Sequence, residues 1–223
     1  LGEQSWNAIT EHKLTHIRAQ YTNSNRLRTG TGHEFINMCS CSYLGLDQHP
    51  RIIEGAMQAI TQEKVLILPT SRTRIGLQLI DEVEEYLSTL FRAEAITTVS
   101  CAAASSGLLP LIASGALSNQ IKPLMIFDKY AHFSMNHIKS SCGDETDIQT
   151  CAHNDIEYIE RQLKIANGRP VFYIADGAYS MGGYALIEEL KALQEQYGLY
   201  LYFDDSHSVS VYGNNGVGFI RDS

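Results

Sequence analysis

VFYIADGAYSMGGYALIEELKALQEQYGLYLYFDDSH, residues 171–207, contains a complete strand–helix–strand passage. VFYIA (171–175) is a short run of apolar, β-branched and aromatic residues, the composition of a buried strand. LIEELKALQEQYG (186–198) carries its leucines at helical spacing, and Gly198 supplies the stop. LYLYF (199–203) is again a strand, and two aspartates and a histidine follow it at once. Two buried strands joined by an amphipathic helix run parallel, because the crossover returns the chain to its starting edge.

The same alternation extends towards the amino terminus. LMIF (124–127), DIQTC (147–151) and AITTV (95–99) read as strands. Helices are expected over 102–118 and over 155–166, the second with a capping-box start from Asn154 and Glu157 and a stop at Asn167-Gly168. Leu79, Val83, Leu87 and Leu90 place a helix over 77–91, and another follows Pro50 with Ile52, Ile53, Met57 and Ile60 on one side. Residues 35–38 (FINM) read as a short strand, 21–34 as a polar connection, and the first ~20 residues are loosely helical in spacing. The fold class expected is therefore α/β: a mostly parallel sheet sandwiched by helices. An amino-terminal arm, helix and linker over 1–50 would precede a large domain over 51–223.

In open sheets of this kind ligands sit beyond the carboxyl ends of the strands. Four such ends offer small or polar groups: Ser100 to Ala102, Asp128 to His132, Asp176 to Ser180, and Asp204 to His207. The net charge of −8 gives no basic footprint for nucleic acid. No apolar run approaches the roughly 18 residues of a membrane span. The five cysteines are an odd set with no CxxC pair, so reduced thiols in the cytoplasm fit better than a disulfide framework or a metal site.

A carboxylate held out of water at a strand end calls for a cationic partner, and a protonated pyridine nitrogen is one. An imidazole three residues on reaches an oxygen of the same ring, and His132 could lie flat over its face. SCAAASSG (100–107) opens a helix with small residues, where backbone amides and the dipole favour a phosphate. Together these describe a pyridoxal 5′-phosphate pocket. Each feature alone has a plainer reading: a strand-end Asp is often a helix cap, a lone His is usually structural, and small residues after a strand often serve packing. The order and spacing of all four favour the pocket.

The chain resembles the α-oxoamine synthase family of fold-type-I pyridoxal-phosphate enzymes. The segments carrying the resemblance are SYLGLDQHPRIIEGA (42–56), TSRTRIG (70–76), DKYAHFSM (128–135), AHNDIEYIERQL (152–163), DGAYSMGGYALIEEL (176–190) and DDSHSVSVYGNNGVG (204–218). The resemblance implies a fold-type-I large domain, here without the carboxy-terminal small domain. It also implies roles. Asp204 would pair with the pyridinium nitrogen, His207 would bond the ring oxygen, and His132 would stack on the ring. Cys101 and Ala102 would offer amides to the phosphate, and Ser180 would sit near the ring oxygen or the substrate carboxylate. Asp205 would support Asp204. The reaction implied condenses an amino acid with an acyl-CoA or acyl carrier protein thioester, with decarboxylation, to an α-amino ketone. The family acts as a homodimer, with residues of the 70–76 region reaching the neighbouring cofactor.

The pattern breaks in places. The family's Schiff-base lysine lies in an S/T-x-x-K segment beyond the Asp204 motif, and Lys13, Lys64, Lys122, Lys129, Lys139, Lys164 and Lys191 all precede that motif. The chain thus reads as a fragment, inactive alone. Cys41 and Ser42 stand where the family segment has Asn and an acidic residue or Asn, and Ser210 where Gly is common. The competing readings are a non-catalytic paralogue paired with an active subunit and another fold-type-I enzyme such as an aminotransferase.

Overall fold

The computed structural model describes residues 2–68 and 70–223, which divide into two compact units at Thr70/Ser71. The first unit holds helix α1 (Gly2–Glu11), strands β1 (Ala19–Asn23), β2 (Arg26–Thr29) and β3 (Glu34–Ile36), and helix α2 (Pro50–Glu63). The three strands form an antiparallel meander, β1-β2-β3. The expected strand at 35–38 is therefore present, one residue earlier. The expected polar connection at 21–34 is instead most of a sheet. Its strands are short and mostly polar, with only Ala19, Leu27, Thr29 and Phe35 half-buried, so the alternation is too brief to mark them. Pro50 occupies the first turn of α2, where its missing N–H costs nothing.

The second unit begins with α3 (Gln78–Phe91) and α4 (Cys101–Ala113), followed by β4 (Leu124–Asp128), α5 (Phe133–Asn136), α6 (Lys139–Gly143) and β5 (Ile148–Cys151). It ends with α7 (Ile156–Ala166), β6 (Val171–Asp176), α8 (Ile187–Tyr197), β7 (Tyr200–Asp204) and the short α9 (Phe219–Asp222). The four strands pair in the order β5-β4-β6-β7, and all three pairings are parallel.

Period-two alternation sorts the strand residues onto two cores. Leu124 and Ile126 of β4, with Val171, Tyr173 and Ala175 of β6, pack against Ile159 and Leu163 of α7 and Leu190 and Leu193 of α8. Met125 and Phe127, with Phe172 and Ile174, pack against Leu109, Ile112 and Ala113 of α4 and against Met135 and Cys142. The sheet is thus covered on both faces, which is why β4 and β6 read as continuous apolar runs.

Three local expectations are corrected. Residues 95–99 form no strand. The Thr97 amide and hydroxyl donate to Glu84 Oε1 at 2.5 and 2.8 Å, and its carbonyl accepts from Arg72 at 3.0 Å. Side chains thus occupy the backbone groups that a ladder would need. The helix cap at 154 is displaced by one: Asp155 accepts the Tyr158 amide at 3.0 Å, while Asn154 adopts a left-handed φ of 55°. Helix α4 ends at Ala113 rather than 118, three residues past Pro110.

Candidate active site

β4, β6 and β7 each end on an aspartate at the same edge of the sheet, and Asp176 and Asp204 are register partners. All three are buried: Asp128 is 0%, Asp176 2% and Asp204 8% exposed. A buried carboxylate is costly unless hydrogen-bonded or paired, and each solves the problem differently.

Asp128 is built into the framework. It accepts the amides of Tyr130 (2.7 Å) and Asn154 (2.9 Å), the Tyr173 hydroxyl (2.8 Å) and His153 Nδ1 (3.1 Å). The rings of Tyr130 and Tyr179 stand 4.9 and 4.5 Å from that imidazole. Asp176 has a sparser set, with the His132 amide at 3.3 Å. Burial pushes its carboxyl up to about 7 against that one hydrogen bond, and the negative charges of Asp204 and Asp128 add to the rise.

Asp204 is the best supplied. Oδ2 accepts from Ser134 Oγ at 2.9 Å and from Cys101 Sγ at 3.0 Å. Oδ1 accepts from the Ser206 amide at 3.1 Å and from its hydroxyl at 2.5 Å. Burial raises this carboxyl, but the bonds from Cys101, Ser206 and Ser134 outweigh it and hold the group below the ordinary aspartate range. Asp204 is therefore a buried anion at neutral pH, and its four donors are all uncharged.

Local geometry explains the gathering. Cys101 and Ser105 lie one turn apart on α4, and they meet Asp204 and Tyr202, two apart on β7 and so on one face of it. The Ser105–Tyr202 contact is 3.1 Å. The N-terminus of α4 is thereby set beside the end of β7. Ser100 caps that helix by accepting the Ala103 amide at 3.1 Å, which leaves the Cys101 and Ala102 amides without intrahelical partners. Burial first, and the neighbouring Asp204 second, raise the Cys101 thiol, which keeps it protonated and a donor.

His132 caps α5. Its Nδ1 accepts the Ser134 amide at 3.2 Å and lies 3.0 Å from Ser134 Oγ. The residue itself is exposed. One hydrogen-bonded cluster thus unites His132, Ser134, Asp204 and Cys101, with Ala102 following in the first turn of α4. His207 is half-buried in the turn after β7. Ser180 stands exposed in the turn after β6, which closes through Gly182 N to Tyr179 O. Its side chain makes none of the cluster's bonds.

The Asp205 carboxylate takes its described hydrogen bond from elsewhere than Asp204's donors. Its Oδ2 accepts the Ile220 amide at 3.0 Å, and its carboxylate lies so close to Gly177 and Gly218 that a Cβ at either would collide with it. It organises the loop after β7 rather than the cluster.

Ser134, Ser206 and Asp176 had no assigned role in the sequence. Ser206 was readable: a hydrogen bond from an amide two residues on is an Asx-turn, and D-x-S supplies its residues. Ser134 needed α5 to place it.

Residues 33–222 match the family model described as aminotransferase class I and II. An 8-amino-7-oxononanoate synthase of Thermoanaerobacter pseudethanolicus is 33% identical over 192 residues, 84% of this chain and 46% of that protein. A serine palmitoyltransferase of Bacteriovorax stolpii is 31% identical over 195 residues, 85% of this chain and 44% of that protein. Among solved structures, a serine palmitoyltransferase from S. paucimobilis with a bound PLP–myriocin aldimine superposes with a TM-score of 0.81 at 19% identity, covering 97% of this chain and 54% of that one. The chain spans about half the length of the curated relatives it matches. The relatives' names agree with the α-oxoamine synthase resemblance, and the superposition with a large-domain α/β fold.

Proposed function

The chain belongs to the aminotransferase class I and II family, and from that premise we propose that the unit Ser71–Ser223 holds pyridoxal phosphate for an acyltransferase reaction. That reaction condenses an amino acid with an acyl-CoA or acyl carrier protein thioester, with loss of carbon dioxide, to an α-amino ketone. The observation that carries the proposal is Asp204: a carboxylate 8% exposed, held below the ordinary aspartate range by neutral donors.

The donor set fits the cofactor's two charges. A buried anion calls for a cation, and Asp204 is that anion. The unpartnered amides at the positive end of the 13-residue α4 call for an anion. The 3.0 Å contact of Cys101 Sγ with Asp204 Oδ2 brings these opposite demands together.

Bound there, pyridoxal phosphate supplies an electron sink for negative charge developing at the amino acid's α-carbon. Asp204 holds the proton on the ring nitrogen, which strengthens that sink. The Cys101 and Ala102 amides take the phosphate. His132, fixed at Nδ1 by the Ser134 amide, covers the ring face. His207 bonds the ring oxygen, and Ser180 serves that oxygen or the substrate carboxylate. In the same unit Lys122 and Lys164 pair with Glu145 and Glu160, Lys139 and Lys191 donate to Thr150 and the Ser223 carbonyl, and Lys129 is exposed. None of these five lysines hydrogen-bonds to the Asp204 cluster, so covalent attachment is assigned to no residue of this unit. We extend the proposal to a second copy of the chain as partner. The retained set of Asp204, His132 and His207 disfavours a purely structural subunit, which has no need for groups that hold a ring.

Equilibrium dialysis of pyridoxal phosphate against the chain tests the proposal. Asp204→Asn should weaken binding on the order of tenfold or more, the value of a hydrogen bond between charged groups. Equal binding by both proteins would contradict it.

A further inference from the structure

We propose that the Cys101 thiol is a placeholder on Asp204, the one donor that a protonated ring nitrogen must displace, so that residue 101 sets cofactor affinity. This rests on the pyridoxal-phosphate reading of the site.

The argument begins with a count. An ionised carboxylate offers about four lone-pair sites. Asp204 is given four donors by the described bonds: Ser134 Oγ and Cys101 Sγ on Oδ2, and the Ser206 amide and hydroxyl on Oδ1. The carboxylate is saturated, so a fifth donor enters only by removing one of these.

The four are not equally held. The Ser206 amide bond comes from a turn two residues along the chain and persists while that turn does, and the Ser206 hydroxyl sits on the other oxygen, Oδ1. Ser134 is buried and anchored where His132 caps α5. Cys101 is held less firmly. A thiol is a weak donor, and its residue is exposed at the first position of α4, beside the amides assigned to the phosphate. On Oδ2 the weaker donor therefore belongs to the exposed residue and the stronger one to the buried residue. Rotation of the Cys101 side chain frees Oδ2 without moving backbone, and it gives up a weaker bond than rotation of either serine hydroxyl would.

This makes Cys101 a positioning residue with a graded effect. Removing the thiol leaves a lone pair open in advance. Replacing it with a hydroxyl, a stronger donor of similar size, makes displacement harder.

The test measures dissociation constants of pyridoxal phosphate by equilibrium dialysis for the wild-type chain, Cys101→Ala, Cys101→Ser, Ser134→Ala and Asp204→Asn. Cys101→Ala is expected to bind about threefold to tenfold tighter than wild type and Cys101→Ser weaker by a similar factor, the range of one neutral hydrogen bond. Ser134→Ala should not tighten binding. A second readout follows the thiol itself: the infrared S–H stretch absent from Cys101→Ala should move from a bonded to a free position when the ligand is added. Equal affinities for wild type, Cys101→Ala and Cys101→Ser would overturn the placeholder, as would tightening by Ser134→Ala or an unmoved S–H band. If Asp204→Asn still weakens binding in that case, the cofactor reading survives and only the role of Cys101 falls. If Asp204→Asn binds as well as wild type, both fall.

Discussion

Ser134 donates its hydroxyl to Asp204 Oδ2 across 2.9 Å, joining residues 70 apart in the chain, and the same oxygen lies 3.0 Å from His132 Nδ1. A short helix cap and a strand end are thereby locked into one unit. The carboxylate proposed to govern the ring nitrogen and the imidazole proposed to cover the ring share a single support.

Removing that support should be visible in stability. Ser134→Ala deletes a donor to a buried charge, a loss of about 1–3 kcal/mol. The folded-state pKa of Asp204 lies below its unfolded value. The stability it contributes is therefore present above the ordinary aspartate pKa near ~4 and is lost as pH falls through the folded value. Urea unfolding at a series of pH values should show the Ser134→Ala deficit at neutral pH and its disappearance in acid. A deficit independent of pH would count against the charge-based account.

Asp176 predicts the opposite slope. Its carboxyl is pushed up to about 7, so the folded state favours the protonated form. Folding stability should fall as pH rises from the unfolded value near ~4 through about 7, by at most about 4 kcal/mol. Asp176→Asn keeps an acceptor for the His132 amide and cannot ionise. It should gain on wild type at pH ~8 and not at pH ~4, again by urea unfolding. Parallel profiles for the two proteins would refute the shift.

Gly177 is held to glycine by Asp205. A Cβ there would collide with the Asp205 carboxylate and with Ile220 Cγ1. Gly177→Ala should cost about 1–3 kcal/mol, the range of overpacking in a filled site. Asp205→Ala should recover part of that loss in a double-mutant cycle. Strict additivity of the two changes would mean that the collision is not the cause.

The segment 95–99 should depend on Glu84. The carboxylate is lowered to about 2 by its bond to Arg72 and by the amide and hydroxyl of Thr97. Glu84→Ala removes the acceptor of the Thr97 amide, so that amide should exchange with deuterium markedly faster than in wild type, while amides in β4 and β6 keep their rates. Unchanged exchange at Thr97 would contradict the clamp.

Much of this was legible in the sequence, for identifiable reasons. β4 and β6 are buried along their whole length, and a continuous apolar run declares such a strand; the half-buried edge strand β7 carries a similar run. α8 was readable through its leucines and through Gly198, which takes the left-handed cap conformation at φ 73°. AITTV misled because β-branched residues also suit an extended connection, and only the Arg72–Glu84–Thr97 contacts decide between the two. The meander at 19–36 was invisible because its strands are three to five residues long and mostly polar, too short for their alternation to stand out. In the site, Asp204 and His132 follow strand ends as expected, whereas Cys101 follows no strand and joins them from the first turn of α4. Ser134's bridging role depends on how α5 packs against β7, which no local pattern encodes. Cys101's side-chain role was missed because attention fell on its amide.

The account turns on Asp204 holding a proton on the cofactor's ring nitrogen, and the nitrogen NMR shift of ring-labelled pyridoxal phosphate bound to the chain measures that most directly. The wild-type complex should show a protonated ring nitrogen at neutral pH and the Asp204→Asn complex a neutral one. The same shift in both complexes, or a neutral nitrogen in the wild type, would contradict the central claim.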